Sequence, residues 1–305
     1  MWLLLAFMSA ALLGFYDSFK KKALSGNAVI PVLFLNTLFC SLIFIPLILL
    51  SYKSGLPEQS AFHVGKGGLE AHGYILLKSC IVLSSWVMGY FGMKHLPLTI
   101  VGPINATRPV MVLIGALLVF GERLGGLQWI GVMLAMISFF MLSRSGRKEG
   151  IRFGHNKWIW MIVGAAAMGA ISGLYDKYLM SPVSQGGLGL DRMMVQSWYN
   201  VYQCVMMGVM MMLLWWPMRH KTTRFRWDWA IIGVSLFLSA ADFLYFYCLS
   251  LPEAMISIVS MIRRGSVIVS FLVGAIAFHE KNLRAKALDL ALVLLGMVFL
   301  YLGSR

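Results

Sequence analysis

Apolar segments of membrane-spanning length fill almost the whole chain. Of its 305 residues, 59% are hydrophobic and only 12% are charged. A helix needs about 20 apolar residues to cross the hydrocarbon core of a bilayer, and the polar breaks between these segments are short. Lipid offers no hydrogen-bond partner to a free backbone amide, so only helices and closed barrels cross a bilayer. The segments here are continuously apolar, which favours helices, because the strands of a barrel would alternate apolar and polar residues. We therefore expect an all-α polytopic membrane protein without a sizeable aqueous domain.

The segments fall into two groups of five, separated by a basic linker. The first group is predicted to span residues 2–19, 29–50, 73–93, 96–120 and 127–143. Residues 144–157 are strongly charged and rich in glycine, which disfavours a spanning helix. The second group is predicted at 158–180, 194–216, 227–249, 253–278 and 285–303. The chain is thus divided into a five-helix repeat (1–143), a linker (144–157) and a second five-helix repeat (158–305).

Short matches between the two groups indicate an internal repeat. Gly-Phe-Tyr-Asp at 14–17 is echoed by Gly-Leu-Tyr-Asp at 173–176, and Leu-Pro at 96–97 by the same pair at 251–252. Asn36 and Cys40 match Asn200 and Cys204, and Gly-Glu-Arg at 121–123 matches His-Glu-Lys at 279–281. Chance similarity among apolar motifs is the weaker explanation, since the matches keep their order. An odd number of spans per half inverts the second half, so we expect ten transmembrane helices in an inverted repeat.

A motif at the fourth and fifth spans resembles a known superfamily. Residues 109–124 read Pro-Val-Met-Val-Leu-Ile-Gly-Ala-Leu-Leu-Val-Phe-Gly-Glu-Arg-Leu, followed by Gln-Trp-Ile-Gly at 128–131. This resembles the EamA-type drug/metabolite transporter superfamily and, with Tyr-Asp in the first span, its branch common in Bacteroidetes. The second half keeps the spacing at 268–281 but has Val267 in place of the proline and His279 in place of the glycine. The resemblance implies a bacterial inner-membrane carrier that exports small metabolites, without naming a substrate.

Basic residues are concentrated on one predicted side of the membrane. That side carries residues 20–22, the linker and the loop after the seventh span, so the positive-inside rule places both termini outside the cytoplasm. The superfamily resemblance implies the opposite orientation. The net charge of +14 is explained by this asymmetry and by attraction to anionic headgroups, and gives no indication of nucleic-acid binding. The expected partners are the lipid bilayer and a small-molecule substrate, and the sequence fits a monomer or a homodimer.

Three arginines lie inside predicted spans. Arg108 is near the middle of the fourth span, and Arg263 and Arg264 are near the middle of the ninth. Each costs about 2.5–3.5 kcal/mol to insert, so they need partners or a wet cavity. Arginine binds carboxylates and phosphates bidentately, which predicts a site for a small organic anion or zwitterion. The predicted substrate-binding residues are Arg108, Arg263, Arg264, Asn36, Trp86, Tyr90, Asn200, Gln203 and Tyr245.

Three carboxylates also lie in apolar spans, and they give an alternative role to the arginines. Asp17, Asp176 and Asp242 could pair with the arginines as internal counter-ions. They could instead gate the cavity or take up and release a proton, with Asp242 the deepest. For Asp17 a local pair with Lys20 or Lys21 is the simpler interpretation, and for Asp176 a pair with Lys177 or with a neighbouring helix.

Other functions find less support in the sequence. An intramembrane enzyme would need a nucleophile with its base or a metal cluster, and no histidine lies in mid-span. The four cysteines occur singly, and no spacing suggests a metal site or a cofactor. A flippase for a lipid-linked phosphate and a non-transporting membrane scaffold remain as alternatives to a secondary transporter that works by alternating access.

Overall fold

The structure is a computed structural model, and its described part is helical. It describes every residue except 1, 54, 58, 109, 113, 115–124, 128, 132, 135–136, 138–140, 142–155, 184–185, 250, 252–258, 260–261, 264, 278–282 and 304–305. No β-strand occurs among the described residues. Most of the predicted linker (144–155), and much of the motif that carries the superfamily resemblance, lie outside the described residues; Lys157, predicted as the last linker residue, is the first residue of a helix.

Nine helices have defined bounds in the described part of the chain. They are α1 (Trp2–Leu24), α2 (Val29–Tyr52), α3 (Leu69–His95), α4 (Leu98–Ala106), α5 (Lys157–Met180), α6 (Arg192–Met210), α7 (Ala230–Leu249), α8 (Ser266–Ala277) and α9 (Leu283–Gly303). A π-helical turn, Met211–Trp215, and a short helix, Trp216–Met218, prolong α6. Six of the described helices are long and apolar enough to cross a membrane. This agrees with the predicted class, an all-helical multi-pass membrane protein.

Several helix ends differ from their predicted bounds. Helix α3 begins at Leu69 rather than at residue 73. Helix α1 continues to Leu24 instead of ending at residue 19, and its Lys21 donates hydrogen bonds to the backbone at the end of α3. Lys21 Nζ donates to the carbonyl oxygens of Met93 at 2.8 Å and Leu96 at 2.5 Å, at the end of α3. A lysine there caps the unpaired carbonyls and complements the helix dipole.

The fourth span is interrupted beside Arg108. Pro103 lies inside α4, which ends at Ala106, and Thr107 forms a turn before further helical residues. The ninth span shows a similar break, where the Gly265 amide donates to the Ile262 carbonyl just before α8 begins. Both breaks lie next to an intramembrane arginine, and Arg108 and Arg263 are themselves helical.

The helices pack in pairs around a common interior. Helix α1 lies along α7, α3 along α5, α2 along α6 and α4 against α8. Glycine allows the closest approaches: a Cβ at Gly233 would lie 2.6 Å from the ring of Phe19, and one at Gly92 would lie 2.5 Å from Ile162. At Gly14 a Cβ would overlap the side chain of Val269. Small residues let membrane helices meet at backbone distance, and this packing surrounds the central cavity.

Candidate functional site

A central cavity of about 180 Å³ lies between the helices of the two predicted halves. Its wall is built from α1 and from α3 to α8, together with Arg108 and Val112 beyond α4 and Arg263 before α8. The described wall holds four basic and three acidic side chains, which are unusual at membrane depth and point to function. They are Asp17, Lys20, Lys78, Arg108, Asp176, Asp242 and Arg263.

Lys78 and Asp176 form an ion pair between α3 and α5. The Nζ atom of Lys78 donates to Oδ1 of Asp176, and the two side chains are only 3% and 8% exposed. The Lys78 ammonium also lies 5.2 Å from the centre of the Tyr199 ring. The predicted pairing of Asp176 with a neighbouring helix is therefore confirmed. Lys78 itself was not predicted, although a lysine inside the third apolar span is as costly as the arginines that were singled out.

Asp242 connects an arginine and a tyrosine. Its Oδ1 accepts from Arg263 Nη2 at 2.6 Å, and its Oδ2 accepts from the Tyr199 hydroxyl at 2.8 Å. The Arg263 guanidinium lies 3.9 Å from the centre of the Tyr245 ring, within the range of a cation–π interaction. Arg263 thus has the acidic counter-ion that the alternative interpretation predicted. Because Lys78 lies over the Tyr199 ring, the Asp242 and Asp176 pairs form one continuous cluster.

Asp17 pairs locally on α1. Lys20 Nζ lies 3.7 Å from Asp17 Oδ1, one helical turn away, which confirms the predicted local pair. The same ammonium lies 4.8 Å from the ring centre of Tyr16 and 4.6 Å from that of Tyr90. The two aromatic rings replace part of the hydration that the buried lysine gives up.

Arg108 is held differently from the other cations in the wall. Its Nη2 donates to the Ala165 carbonyl at 3.3 Å, and within the described residues no carboxylate pairs with it. Its guanidinium lies against the backbone of α5 at Gly169, where a Cβ would overlap it. The buried Nε of Arg108 has no hydrogen-bond partner. Arg108 is therefore an incompletely satisfied cation at the cavity surface.

The cavity brings together most of the predicted charged and aromatic residues. Arg108, Arg263, Trp86 and Tyr245 line it, as do the three predicted acids. Tyr90 is fully buried behind the wall, where its ring lies against Lys20. Arg264 lies outside the described residues. Arg108 and Arg263, each beside a helix break, reach the same interior space.

The three predicted amides do not belong to the described wall. Asn36, Asn200 and Gln203 are buried where α2, α6 and α7 meet, so the prediction that they line the cavity is wrong in this structure. Asn36 Oδ1 accepts from the Ser235 hydroxyl at 3.1 Å, and Asn200 Nδ2 donates to the Gln196 carbonyl at 2.8 Å. The matching of repeats gave the depth of these residues but not the helix face on which they lie. Both amide atoms of Gln203 lack a partner in the described structure, which suits buried water.

Chemically, the cavity is suited to a small charged solute. It offers guanidinium and ammonium donors, paired carboxylates, and aromatic faces at Trp86 and Tyr245. Its volume is below the range of about 300–1,000 Å³ that is usual for drug-sized ligands, so the ligand that fits this conformation is small.

Comparisons with known proteins agree with this architecture. A solved crystal structure superposes on 100% of this chain and 98% of its own, with a TM-score of 0.63 at 11% sequence identity, which shows a shared fold. No curated protein matches the chain in sequence. Residues 1–144 match the EamA-like transporter family. The chain is thus a multi-pass membrane protein whose first half is similar in sequence to the EamA-like transporter family.

Proposed function

We propose that the protein is a secondary transporter of the bacterial inner membrane that exports a small organic anion or zwitterion by alternating access. The observation that carries the proposal is the charged cavity enclosed between α1 and α3 of the first half and α5, α7 and α8 of the second. A site of this kind at the junction of two halves can be exposed to either side when one half moves against the other.

The proposal includes ten helices arranged as an inverted repeat, and the helix contacts support this. An inverted repeat would exchange α1 with α5, α2 with α6, α3 with α7 and α4 with α8. Under this exchange the α1–α7 contact becomes α5–α3, the α1–α8 contact becomes α5–α4, and the α2–α7 contact becomes α6–α3. All of these pairs are in contact, and the two self-related pairs, α2–α6 and α4–α8, are in contact as well.

We assign the three intramembrane acids to proton coupling and to gating of the cavity. Asp17 and Asp176 occupy equivalent positions of the repeated Tyr-Asp phrase, and each pairs with a lysine at the cavity wall. In an inverted repeat, equivalent positions lie toward opposite sides of the membrane, which suits a pair of alternating gates. Asp242 lies within the cluster of Arg263 and Tyr199, so a change in its protonation would alter the charge next to the ligand.

Transport assays with a variant that fills the cavity test this proposal. Gly173 lines the cavity, and a Cβ there meets no atom within 4 Å. Gly173→Leu should therefore occupy the solute's space without disturbing the helix packing. Gly73 is the matched control, because a Cβ there also meets open space and the residue is exposed on α3 outside the described cavity wall.

The assay screens labelled organic acids, amino acids and a lipid-linked phosphate in proteoliposomes. We expect saturable movement of at least one small solute by the wild type and by Gly73→Leu, and its loss in Gly173→Leu. Equal transport by Gly173→Leu would refute the cavity as the route. Movement of the lipid-linked phosphate alone would favour the flippase.

A further inference from the structure

We infer that Arg108 is the binding residue for a single carboxylate, and that the cavity selects a monoanion over a zwitterion or a dianion. The inference rests on the proposed function, because it assigns a substrate class to the transport cavity, and it narrows that class from the charges in the wall.

The first argument is the balance of charge around the cavity. Each carboxylate in the described wall already has a cation: Asp17 has Lys20, Asp176 has Lys78 and Asp242 has Arg263. Four cations face three carboxylates, so the described wall carries one positive charge beyond these pairs. A charge buried at membrane depth is costly unless it is compensated, and one negative charge on the ligand would complete the balance.

The second argument is the position of Arg108. A guanidinium has five N–H donors, and Arg108 directs one of them to the Ala165 carbonyl at 3.3 Å, a long bond. Its buried Nε–H has no partner among the described residues. A carboxylate accepts two parallel N–H bonds from a guanidinium and would satisfy these donors better than a single carbonyl does.

The third argument is the space that Gly169 provides. Since a Cβ at Gly169 would overlap the Arg108 guanidinium, glycine at this position determines where the cation lies. Gly169 is therefore a positioning residue for Arg108, although it has no side chain of its own.

The pairing of the acids also explains why a zwitterion fits less well. The ammonium of a zwitterion needs an acceptor, and the carboxylates of the described wall are each held by a lysine or an arginine. A dianion would carry one negative charge more than the single positive charge left unpaired in the described wall. The faces of Trp86 and Tyr245 favour an apolar body attached to the carboxylate.

Ligand-induced thermal stabilisation tests the inference on the purified full-length protein in detergent. The probes are benzoate, its neutral isostere benzamide, the zwitterion phenylalanine and the dianion phthalate. We expect benzoate to raise the melting temperature in a saturable way, and the other three probes to bind at least about tenfold more weakly.

Three variants locate the site of benzoate binding. Arg108→Gln should weaken the apparent benzoate Kd by about tenfold to a hundredfold, as expected for loss of a charge-assisted bond. Gly169→Ala retains every charge but displaces the guanidinium, and it should weaken the benzoate Kd severalfold; it also serves if Arg108→Gln does not fold. Arg219→Gln, on the basic loop, should bind benzoate as the wild type does.

The outcomes separate this inference from the proposed function. Unchanged benzoate affinity in Arg108→Gln and Gly169→Ala would overturn the inference, as would equal stabilisation by benzamide or phenylalanine. Benzoate binding through Arg108 without transport of any solute would uphold the inference and contradict the transporter. Transport of a cation or a neutral solute without benzoate binding would support the transporter and overturn the inference about Arg108.

Discussion

Lys78 and Asp176, 98 residues apart in the sequence, form a buried ion pair that joins α3 to α5 at the cavity wall. Both side chains are buried, and Lys78 Nζ contacts Asp176 Oδ1 directly. The pair therefore holds two helices of different predicted halves together in this conformation.

Removal of one partner of this pair should destabilise the protein strongly. In Lys78→Met the carboxylate of Asp176 stays buried without its cation, at a cost of about 3–5 kcal/mol. The melting temperature of the purified protein in detergent should fall, and the double variant Lys78→Met with Asp176→Asn should recover most of the loss. A single variant as stable as the wild type would show that the pair contributes nothing to folding.

Asp242 should matter more for its charge than for its hydrogen bond to tyrosine. Asp242→Asn leaves Arg263 without its carboxylate and should abolish transport, whereas Tyr199→Phe removes only one hydrogen bond. That bond is worth about 1.5–3 kcal/mol, because one partner is charged, and the variant should keep measurable transport. Initial rates in proteoliposomes check both variants. Full transport by Asp242→Asn would exclude the carboxylate from coupling.

The two repeat-related glycines should respond differently to the same substitution. Gly14→Ala adds a methyl group where Val269 and the Ser266 carbonyl leave no room, and overpacking of this kind costs about 1–3 kcal/mol. Gly173→Ala adds it to open space and should be neutral or stabilising by about 0.5–1 kcal/mol, because alanine is the better helix former. Thermal unfolding of both variants checks this, and equal destabilisation would contradict the packing.

The basic loops predict the orientation of the chain. Asn27 Nδ2 donates to the Arg226 carbonyl at 2.7 Å and Lys94 Nζ to the Thr223 hydroxyl at 2.8 Å, so these basic segments meet at one end of the bundle. If that end is cytoplasmic, a reporter fused after residue 305 should be active only outside the cytoplasm. Cytoplasmic activity of the reporter would favour the orientation implied by the superfamily resemblance.

Hydrophobic segments and isolated charges predicted much of the fold and part of the site. The energetic cost of burial singled out Arg108, Arg263 and the three acids correctly as residues of one interior. The same cost applies to Lys78, which was overlooked. Asn36 was misplaced because continuously apolar helices carry no periodic pattern that tells which face is inward. The role of Gly169 depends on a contact between helices far apart in sequence, and no local pattern encodes it.

The unequal surroundings of Gly14 and Gly173 have a consequence for the transport cycle. During alternating access the two halves of an inverted repeat would exchange conformations. The close packing of α1 against α8 must then open while the equivalent packing of α5 against α4 closes. In the register in which Val267 takes the place of Pro109, the residue equivalent to Val269 in the first half is Met111, which is half-buried. In the opposite state Gly173 would then receive Met111 as Gly14 now receives Val269. Each glycine would thus accommodate a neighbouring side chain in only one half of the transport cycle.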